Sequence, residues 1–308
     1  MFFEVFKFYF AVLLLCHFLG DFYIQTKKMA KSKEDDYKKT FVHSILYTIP
    51  YIIAFPIGAV CFRNMVSLES LFLIIAAASI AHLVVDLIKC NRVRAYKNAS
   101  KSPLSPEEIA KDGKRKTNLF IADQTCHILL LAFIALAVSN SKDYVAALSV
   151  LSSEQTQLLY LILLTVFLLV PASILFQTLF KKYQPSEISQ KMNETDMENN
   201  SQKRIETNTE TNSQKMNETD TENKTEENEE IKENIKGAGE IIGYMERLLM
   251  AIFFCLGQYT AVGFIIAAKS IARYDKISKK GAFAEYYLIG TLYSVLVTLL
   301  AFALLWYP

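Results

Sequence analysis

Residues 5–24, VFKFYFAVLLLCHFLGDFYI, form an apolar stretch whose only strongly polar residues are Lys7, His17 and Asp21. In a helix that rises 1.5 Å per residue, twenty residues span about 30 Å, the thickness of a bilayer's hydrocarbon core. The stretch therefore predicts a membrane-spanning helix with a histidine and an aspartate near its end. It has no basic start and no small-residue cleavage site, so we expect it to be a retained helix and not a secretory signal.

Six further stretches share this composition, and 52% of the 308 residues are apolar. Each is about long enough to cross hydrocarbon as a helix. They are residues 41–61, 69–89, 118–138, 157–180, 241–272 and 286–306. This pattern excludes a soluble globular protein and predicts an all-α polytopic membrane protein.

The formal net charge is +2, and the five cysteines contain no C-x-x-C pair and lie in or next to apolar stretches. A disulfide framework and a zinc–thiolate site are therefore not predicted. We expect membrane lipids as partners and no nucleic acid.

The basic residues of the loops predict the orientation, because Lys and Arg are enriched in cytoplasmic loops. Loop 25–40 holds six lysines and loop 89–117 holds nine Lys or Arg residues, whereas loops 62–68 and 139–156 hold one each. Because the loop after 241–272 is also basic, that stretch should cross an even number of times, as a tight hairpin turning near 257–260. We therefore predict eight helices in a bacterial inner membrane with both termini outside the cytoplasm, or seven helices if 241–272 crosses once.

Residues 183–236 separate a five-helix membrane domain, 1–182, from a C-terminal membrane domain, 237–308, that holds the predicted hairpin and the last helix. The tract is rich in Glu, Asn, Thr and Ser, and its segment SQKMNETD occurs twice, at 189–196 and 213–220. Such a composition cannot bury enough apolar surface to fold. We predict a disordered acidic cytoplasmic linker that is available to a protein partner.

All four histidines lie within predicted membrane helices, and three of them stand four residues from an aspartate. This spacing places both side chains on one helix face, where an imidazole nitrogen and a carboxylate point to the same place. The pairs are His17–Asp21, His82–Asp86 and Asp123–His127, while His43 has no such partner. An isolated pair of this kind is equally consistent with a hydrogen bond or with a proton relay.

In the predicted topology these seven residues lie in one layer beneath the cytoplasmic surface. A carboxylate in hydrocarbon costs at least about 2.5–3.5 kcal/mol, so three at one depth call for a shared cation. We predict a divalent metal, Zn or Mn/Fe, with the following ligand candidates: His17, Asp21, His43, His82, Asp86, Asp123 and His127. Seven donors exceed one tetrahedral ion, so either two ions bind or some residues orient ligands or act as catalytic bases, for which Asp21, Asp86 and Asp123 are the candidates. We expect His43 to contribute least.

A second polar set occurs in the last three predicted helices. In one interpretation Glu246 and Glu285 form structural ion pairs that neutralise buried cations. In the other, Arg247, Lys269 and Arg273 bind a phosphate or a lipid head group.

Several of these residues stand in motifs that resemble the bacterial membrane-protein family called domain of unknown function 3307. The motifs are HFLGDF at 17–22, His43, DQxxH at 123–127, IGxxER at 242–247, AKSxxR at 268–273 and EYxxxGT at 285–291. The resemblance covers the chain except for the tract 183–236. More loosely, the His/Asp pairs are similar to those of membrane-bound metal-dependent hydrolases. Neither resemblance implies a substrate.

The predicted site favours a metal-dependent hydrolase that acts at the cytoplasmic leaflet on a phosphorylated or acyl-bearing amphiphile. A metal-ion or proton transporter or channel is the first alternative, and a signalling or defence component with a structural metal is the second. The outer halves of the first four helices contain almost no ionisable residue, which favours the enzyme over a transport path.

Overall fold

The computed structural model describes residues 2–61, 68–99, 106–140, 152–184, 238–279 and 281–306. Within these ranges the chain forms helices and no strand. The α-helices are α1 (Phe2–Phe18), α2 (Lys27–Ser32), α3 (Tyr37–Cys61), α4 (Leu68–Ala99), α5 (Pro106–Ser139), α6 (Ser153–Leu179), α7 (Ala238–Cys255), α8 (Tyr259–Ala272), α9 (Tyr274–Lys279) and α10 (Gly281–Trp306). The predicted linker, from residue 185 onward, lies outside the described residues.

Among the described residues, five segments are long and apolar enough to cross a membrane. They are Phe2–Tyr23, Leu71–Asn98, Lys111–Ser139, Ser153–Leu179 and Phe283–Trp306. The chain is therefore an all-α, multi-pass membrane protein, as the sequence predicts.

The predicted count of eight crossings stays a prediction. The apolar stretch 241–272 is broken into α7 and α8 at Gly257, whose φ of 67° is a conformation that glycine adopts without steric cost. This break lies where the hairpin turn is expected. The second arm, α8, has only 14 residues, which is short for a crossing.

The chain divides into two compact units, Met1–Ala172 with Ala301–Pro308 and Ser173–Leu300. The boundary between these units lies inside α6. The end of α10 belongs to the first unit. The predicted domains 1–182 and 237–308, separated by the tract 183–236, stay a prediction. A change of composition marks a linker in the sequence, but it does not mark where a long helix changes its packing partners.

The first unit is built around α1, which packs against α3 and α5, while α4 packs against α3 and α5. Its buried apolar core includes Val5 and Leu13 of α1, Phe55 of α3, Ile74 of α4 and Leu131 of α5. In each helix these residues lie toward the end opposite to the predicted His/Asp ligands. The core thus occupies one half of the unit, and the polar residues occupy the other half.

A π-helical turn, Leu19–Tyr23, continues α1. At its end, the backbone N–H of Ile24 donates a hydrogen bond to the carbonyl oxygen of Leu19 at 3.0 Å. Gly20 in this turn lies against α3. A Cβ placed on Gly20 would stand 2.7 Å from the Tyr47 ring and 2.9 Å from the Tyr47 carbonyl oxygen. Only glycine allows this close approach of the two backbones. Single π-turns of this kind occur frequently at functional sites.

Replacing Gly20 with alanine should destabilise the protein by about 1–3 kcal/mol, because the added methyl group overpacks against Tyr47 backbone atoms that cannot move aside. Gly113 is the matched control, since nothing lies within 4 Å of its Cβ position in helix α5. Gly113→Ala should leave stability unchanged or raise it by up to about 1 kcal/mol. Thermal unfolding in detergent measures both variants, and equal midpoints would contradict the close approach.

Candidate metal centre

Four donor atoms from the π-turn, α3 and α4 converge in the first unit. The Nε2 atom of His43 lies 3.1 Å from Oδ1 of Asp21 and 3.2 Å from Nε2 of His82. The Oδ2 atom of Asp86 lies 3.5 Å from Nε2 of His82 and 3.6 Å from Nε2 of His43. Donors bound to one tetrahedral ion at about 2.0–2.1 Å are about 3.3–3.4 Å apart. All four side chains are buried, and these four of the six donor–donor distances are close to that spacing. Asp21, His43 and His82 form a group in which all donor atoms lie within 4.8 Å of one another, and Asp86 belongs to a second such group with His82 and His127.

His43 and His82 face each other through their Nε2 atoms. The Nδ1 atom of each ring is buried and has no hydrogen-bond partner in the part of the chain that the structure describes. With a proton on each Nδ1, both Nε2 lone pairs point into the same space, an arrangement that a cation stabilises. The ring of His82 is held in place by Tyr47, which stacks on it with a centroid distance of 3.5 Å and an interplanar angle of 4°.

His127 and Asp123 of α5 add a further set of donors. The Nδ1 atom of His127 lies 2.9 Å from the Asp123 carbonyl oxygen, and because a carbonyl only accepts, Nδ1 carries the proton. The lone pair of His127 is therefore on Nε2, which is buried and has no partner among the described residues. A backbone carbonyl that fixes the tautomer in this way is typical of metal-binding histidines. Donor atoms of His127, His82 and Asp86 all lie within 4.8 Å of one another.

His17 makes hydrogen bonds through both ring nitrogens. Its Nδ1 lies 3.2 Å from the Tyr47 hydroxyl, and its Nε2 donates to the amide oxygen of Gln124 at 3.4 Å. The amide nitrogen of Gln124 in turn donates to Oδ2 of Asp21 at 2.9 Å. No hydrogen bond or ion pair joins His17 to Asp21 within the described structure, because Asp21 lies in the π-turn, which changes the helical spacing. The geometry therefore gives His17 an orienting position, next to the donors.

Two lysines provide the cations that the buried aspartates need. The ammonium of Lys33, which follows α2, lies 2.8 Å from Oδ1 of Asp21 and 3.2 Å from Oδ2 of Asp86. The ammonium of Lys89 lies 2.9 Å from Oδ2 of Asp123. With neutral histidines, three carboxylates and two ammonium groups leave one negative charge in the centre. The donor set therefore retains an attraction for a further cation.

Lys33 is only 7% exposed, and a hydrogen bond to its backbone holds it in place. Its carbonyl oxygen accepts a hydrogen bond from the Thr40 hydroxyl at 2.8 Å. Burial by itself lowers the pKa of the Lys33 ammonium, but the carboxylates of Asp21 and Asp86 raise this pKa above its ordinary value. Lys33 is therefore charged at neutral pH and is a stable partner of both carboxylates.

Five of the seven predicted ligands contribute donor atoms to the two groups within 4.8 Å, namely Asp21, His43, His82, Asp86 and His127. His82 is common to both groups. His43, which we expect from spacing alone to contribute least, lies 3.1–3.6 Å from donor atoms of Asp21, His82 and Asp86. Sequence reasoning missed Lys33 and Lys89, which it used only to orient the loops. Gln124 stands in the DQxxH motif, and that motif is the one signal that points to it.

Residues 9–159 match the family described as "Protein of unknown function (DUF3307)". Over this segment, which is just under half of the chain, the protein is similar to that family. The DUF3307 segment contains the π-turn and all seven predicted metal ligands, but the motifs between residues 242 and 291 lie outside the match. No curated protein and no solved structure matches the chain.

The second polar set lies in the second unit. The ammonium of Lys269 lies 2.6 Å from Oε2 of Glu246, in agreement with the predicted ion pair. Arg247 is buried, and Arg273 caps the end of α8. Glu285 is exposed on α10 and makes no ion pair with any described residue, so the pairing predicted for Glu285 is not found. An exposed carboxylate remains hydrated and needs no cation.

Lys33→Met should destabilise the chelator-treated protein, because it leaves Asp21 and Asp86 buried without their ammonium. Removing one partner of a buried ion pair typically costs about 3–5 kcal/mol. Lys38→Met is the matched control, since Lys38 is an exposed lysine five residues further on, in the first turn of α3. Thermal unfolding in detergent with EDTA measures the difference. If both variants unfold at the temperature of the parent protein, Lys33 is not the counterion of these carboxylates.

Proposed function

We propose that the DUF3307 segment is a metal-dependent hydrolase embedded in the bacterial inner membrane. It acts at the cytoplasmic leaflet on a phosphorylated or acyl-bearing amphiphile. The observation that supports the proposal most strongly is a buried cluster around His43. Its Nε2 atom lies 3.1–3.6 Å from Oδ1 of Asp21, Nε2 of His82 and Oδ2 of Asp86, and Asp86 lies 3.5 Å from His82.

Asp21, His43, His82 and Asp86 are the proposed ligands of one divalent ion, Zn or Mn/Fe. A second ion would use Asp86 and the free Nε2 of His127, because the single lone pair on Nε2 of His82 can bind only one ion. A divalent ion bound there supplies a Lewis acid and lowers the pKa of its bound water towards about 7.

The surrounding side chains have separate roles in this proposal. Asp123 has one buried carboxylate oxygen, Oδ1, without a hydrogen-bond partner among the described residues, and this oxygen is the proposed acceptor of the proton from the attacking water. The other oxygen accepts from Lys89 at 2.9 Å and from Gln124 at 3.3 Å, which holds the carboxylate in position. Lys89 neutralises the charge of the Asp123 carboxylate, and Lys33 neutralises part of the charge of Asp21 and Asp86.

A cation transporter is the second candidate, because Lys33 and a divalent ion would compete for the same oxygens of Asp21 and Asp86. Transport needs a polar path to the other face of the membrane. The half of the first unit that lies away from the centre is instead filled by an apolar core, with Val5, Phe55 and Ile74 buried in it. This packing favours the hydrolase.

His43→Ala and His82→Ala should each reduce bound metal at least tenfold, since each removes a central donor. His17→Ala should reduce it less, because both nitrogens of His17 already bind protein atoms. Elemental analysis of folded, purified protein measures metal per chain, with Asp112→Asn as a control on the same helix as His127. A parent protein that neither contains nor takes up a divalent transition metal would refute the metal site.

The same preparations test the reaction. Dodecyl phosphate and p-nitrophenyl dodecanoate in mixed micelles represent the two substrate classes. We expect hydrolysis of one of them, lost with EDTA, restored by Zn²⁺ or Mn²⁺, and reduced about 10²–10⁴-fold by Asp123→Asn, which removes the base. A metal-loaded protein that hydrolyses neither class would leave the metal site intact and refute the hydrolase.

The proposed topology has its own test, which uses a cysteine-free background. Asn140, after α5, and Lys114, near the start of α5, are both exposed. Asn140→Cys should react with a membrane-impermeant thiol reagent added to intact cells, and Lys114→Cys should react only after the cells are opened. The opposite pattern would move the centre to the outer leaflet.

A further inference from the structure

A cavity of about 300 Å³ lies in the second unit, where α6 and α8 end and where α7 and α10 begin. Its volume is at the lower end of the range for small-molecule sites, which suits a compact polar group. Aromatic side chains line one part of it, and the cations Arg247, Lys269 and Arg273 line another. The cavity lies outside the segment that matches DUF3307 and does not involve the candidate metal centre.

The charges that line this cavity favour an anion. Three cations and two carboxylates, Glu240 and Glu246, leave one surplus positive charge. Glu246 is neutralised by Lys269 at 2.6 Å, and Glu240 accepts a hydrogen bond from the Tyr244 hydroxyl at 2.6 Å. The side chain of Arg273 forms no ion pair with any residue in the described ranges.

Arg247 is the buried cation of the site, with 4% of its surface exposed. Its Nη2 donates to the hydroxyl of Ser173 at 2.5 Å, which fixes the guanidinium at the wall of the cavity. Gly243 lies one turn before it, and a Cβ at Gly243 would stand 3.3 Å from Nη1. Glycine therefore keeps open the space beside the guanidinium. A fixed, planar guanidinium is the side chain best suited to bind two phosphate oxygens at once.

The aromatic residues do not favour a cationic ligand. The ammonium of Lys269 already lies over the Tyr287 ring at 5.3 Å, and the guanidinium of Arg247 lies 5.7 Å from the Tyr244 ring. A quaternary ammonium group would have to compete with these cations for the same ring faces.

We propose that this cavity binds a phosphoryl group, with Arg247 as the bidentate donor and with Lys269 and Arg273 as additional cations. Two sources share this chemistry, the head group of an anionic phospholipid and a soluble phosphate ester.

Two probes distinguish the sources, with the full chain purified in neutral detergent and freed of phosphate. One probe is inorganic phosphate, and the other is phosphatidylglycerol in mixed micelles with phosphatidylcholine micelles as the baseline. All titrations contain EDTA, so that phosphate held by a metal ion does not contribute. The rise of the thermal unfolding midpoint with probe concentration gives the apparent affinity.

Arg273→Gln should weaken the apparent affinity at least tenfold, whereas Lys182→Gln, which removes an exposed cation outside the cavity lining, should leave it within twofold of the parent. Arg247→Lys keeps the charge but loses the planar fork, and it should weaken binding as well. Because Arg247 is buried and its substitution also affects folding, the result for Arg273→Gln decides whether the cavity binds the phosphoryl group.

Stabilisation by phosphatidylglycerol alone would identify a lipid head group as the ligand, and stabilisation by inorganic phosphate alone would identify a soluble ester. Stabilisation by both would show that the phosphoryl group itself is recognised. If neither probe stabilises the protein, or if Arg273→Gln and Lys182→Gln bind equally, the proposal is wrong.

Discussion

The burial of three carboxylates in a membrane protein is the constraint on which the first unit depends. Asp21, Asp86 and Asp123 cannot remain ionised in hydrocarbon unless cations and hydrogen-bond donors replace the lost water. Lys33 bridges the first two aspartates and Lys89 binds the third. The tight π-turn, the glycine at its start and the aromatic ring on α3 all serve to bring these groups within a few ångströms. Removing either lysine leaves a buried carboxylate without its ammonium partner.

The unit therefore combines two environments along the same helices. One half is an apolar core of aliphatic and aromatic side chains, and the other half contains the polar centre. The core fixes how α1, α3, α4 and α5 pack, and the positions of the imidazoles and carboxylates follow from that packing. Because these positions are determined by the packing of the helices, the fold itself orients the imidazoles and carboxylates, as in preorganised sites.

Regular helical spacing explains which parts of the centre are predictable from the sequence. His82–Asp86 and Asp123–His127 lie on regular helices, and each pair is in contact, at 3.5 Å and 3.9 Å. The same spacing does not bring His17 and Asp21 into contact, because Asp21 lies in a π-turn that shifts its side chain. A π-turn has no reliable sequence signature, so this shift is not predictable. His43 has no partner on its own helix, so its central position depends on how α3 packs. Membrane character is predictable from composition alone, but the unit boundary inside α6 and the lysine contacts depend on packing between distant segments.

Lys33 also determines when the carboxylates of Asp21 and Asp86 are neutralised. Its ammonium is attached to the chain, so its effective concentration at the carboxylates does not depend on the metal supply of the cell. A newly inserted chain can therefore neutralise Asp21 and Asp86 and complete its packing before any ion arrives. In the proposed function, metal binding would be an exchange of one cation for another within a folded protein, and assembly in the membrane would be separate from acquisition of the metal.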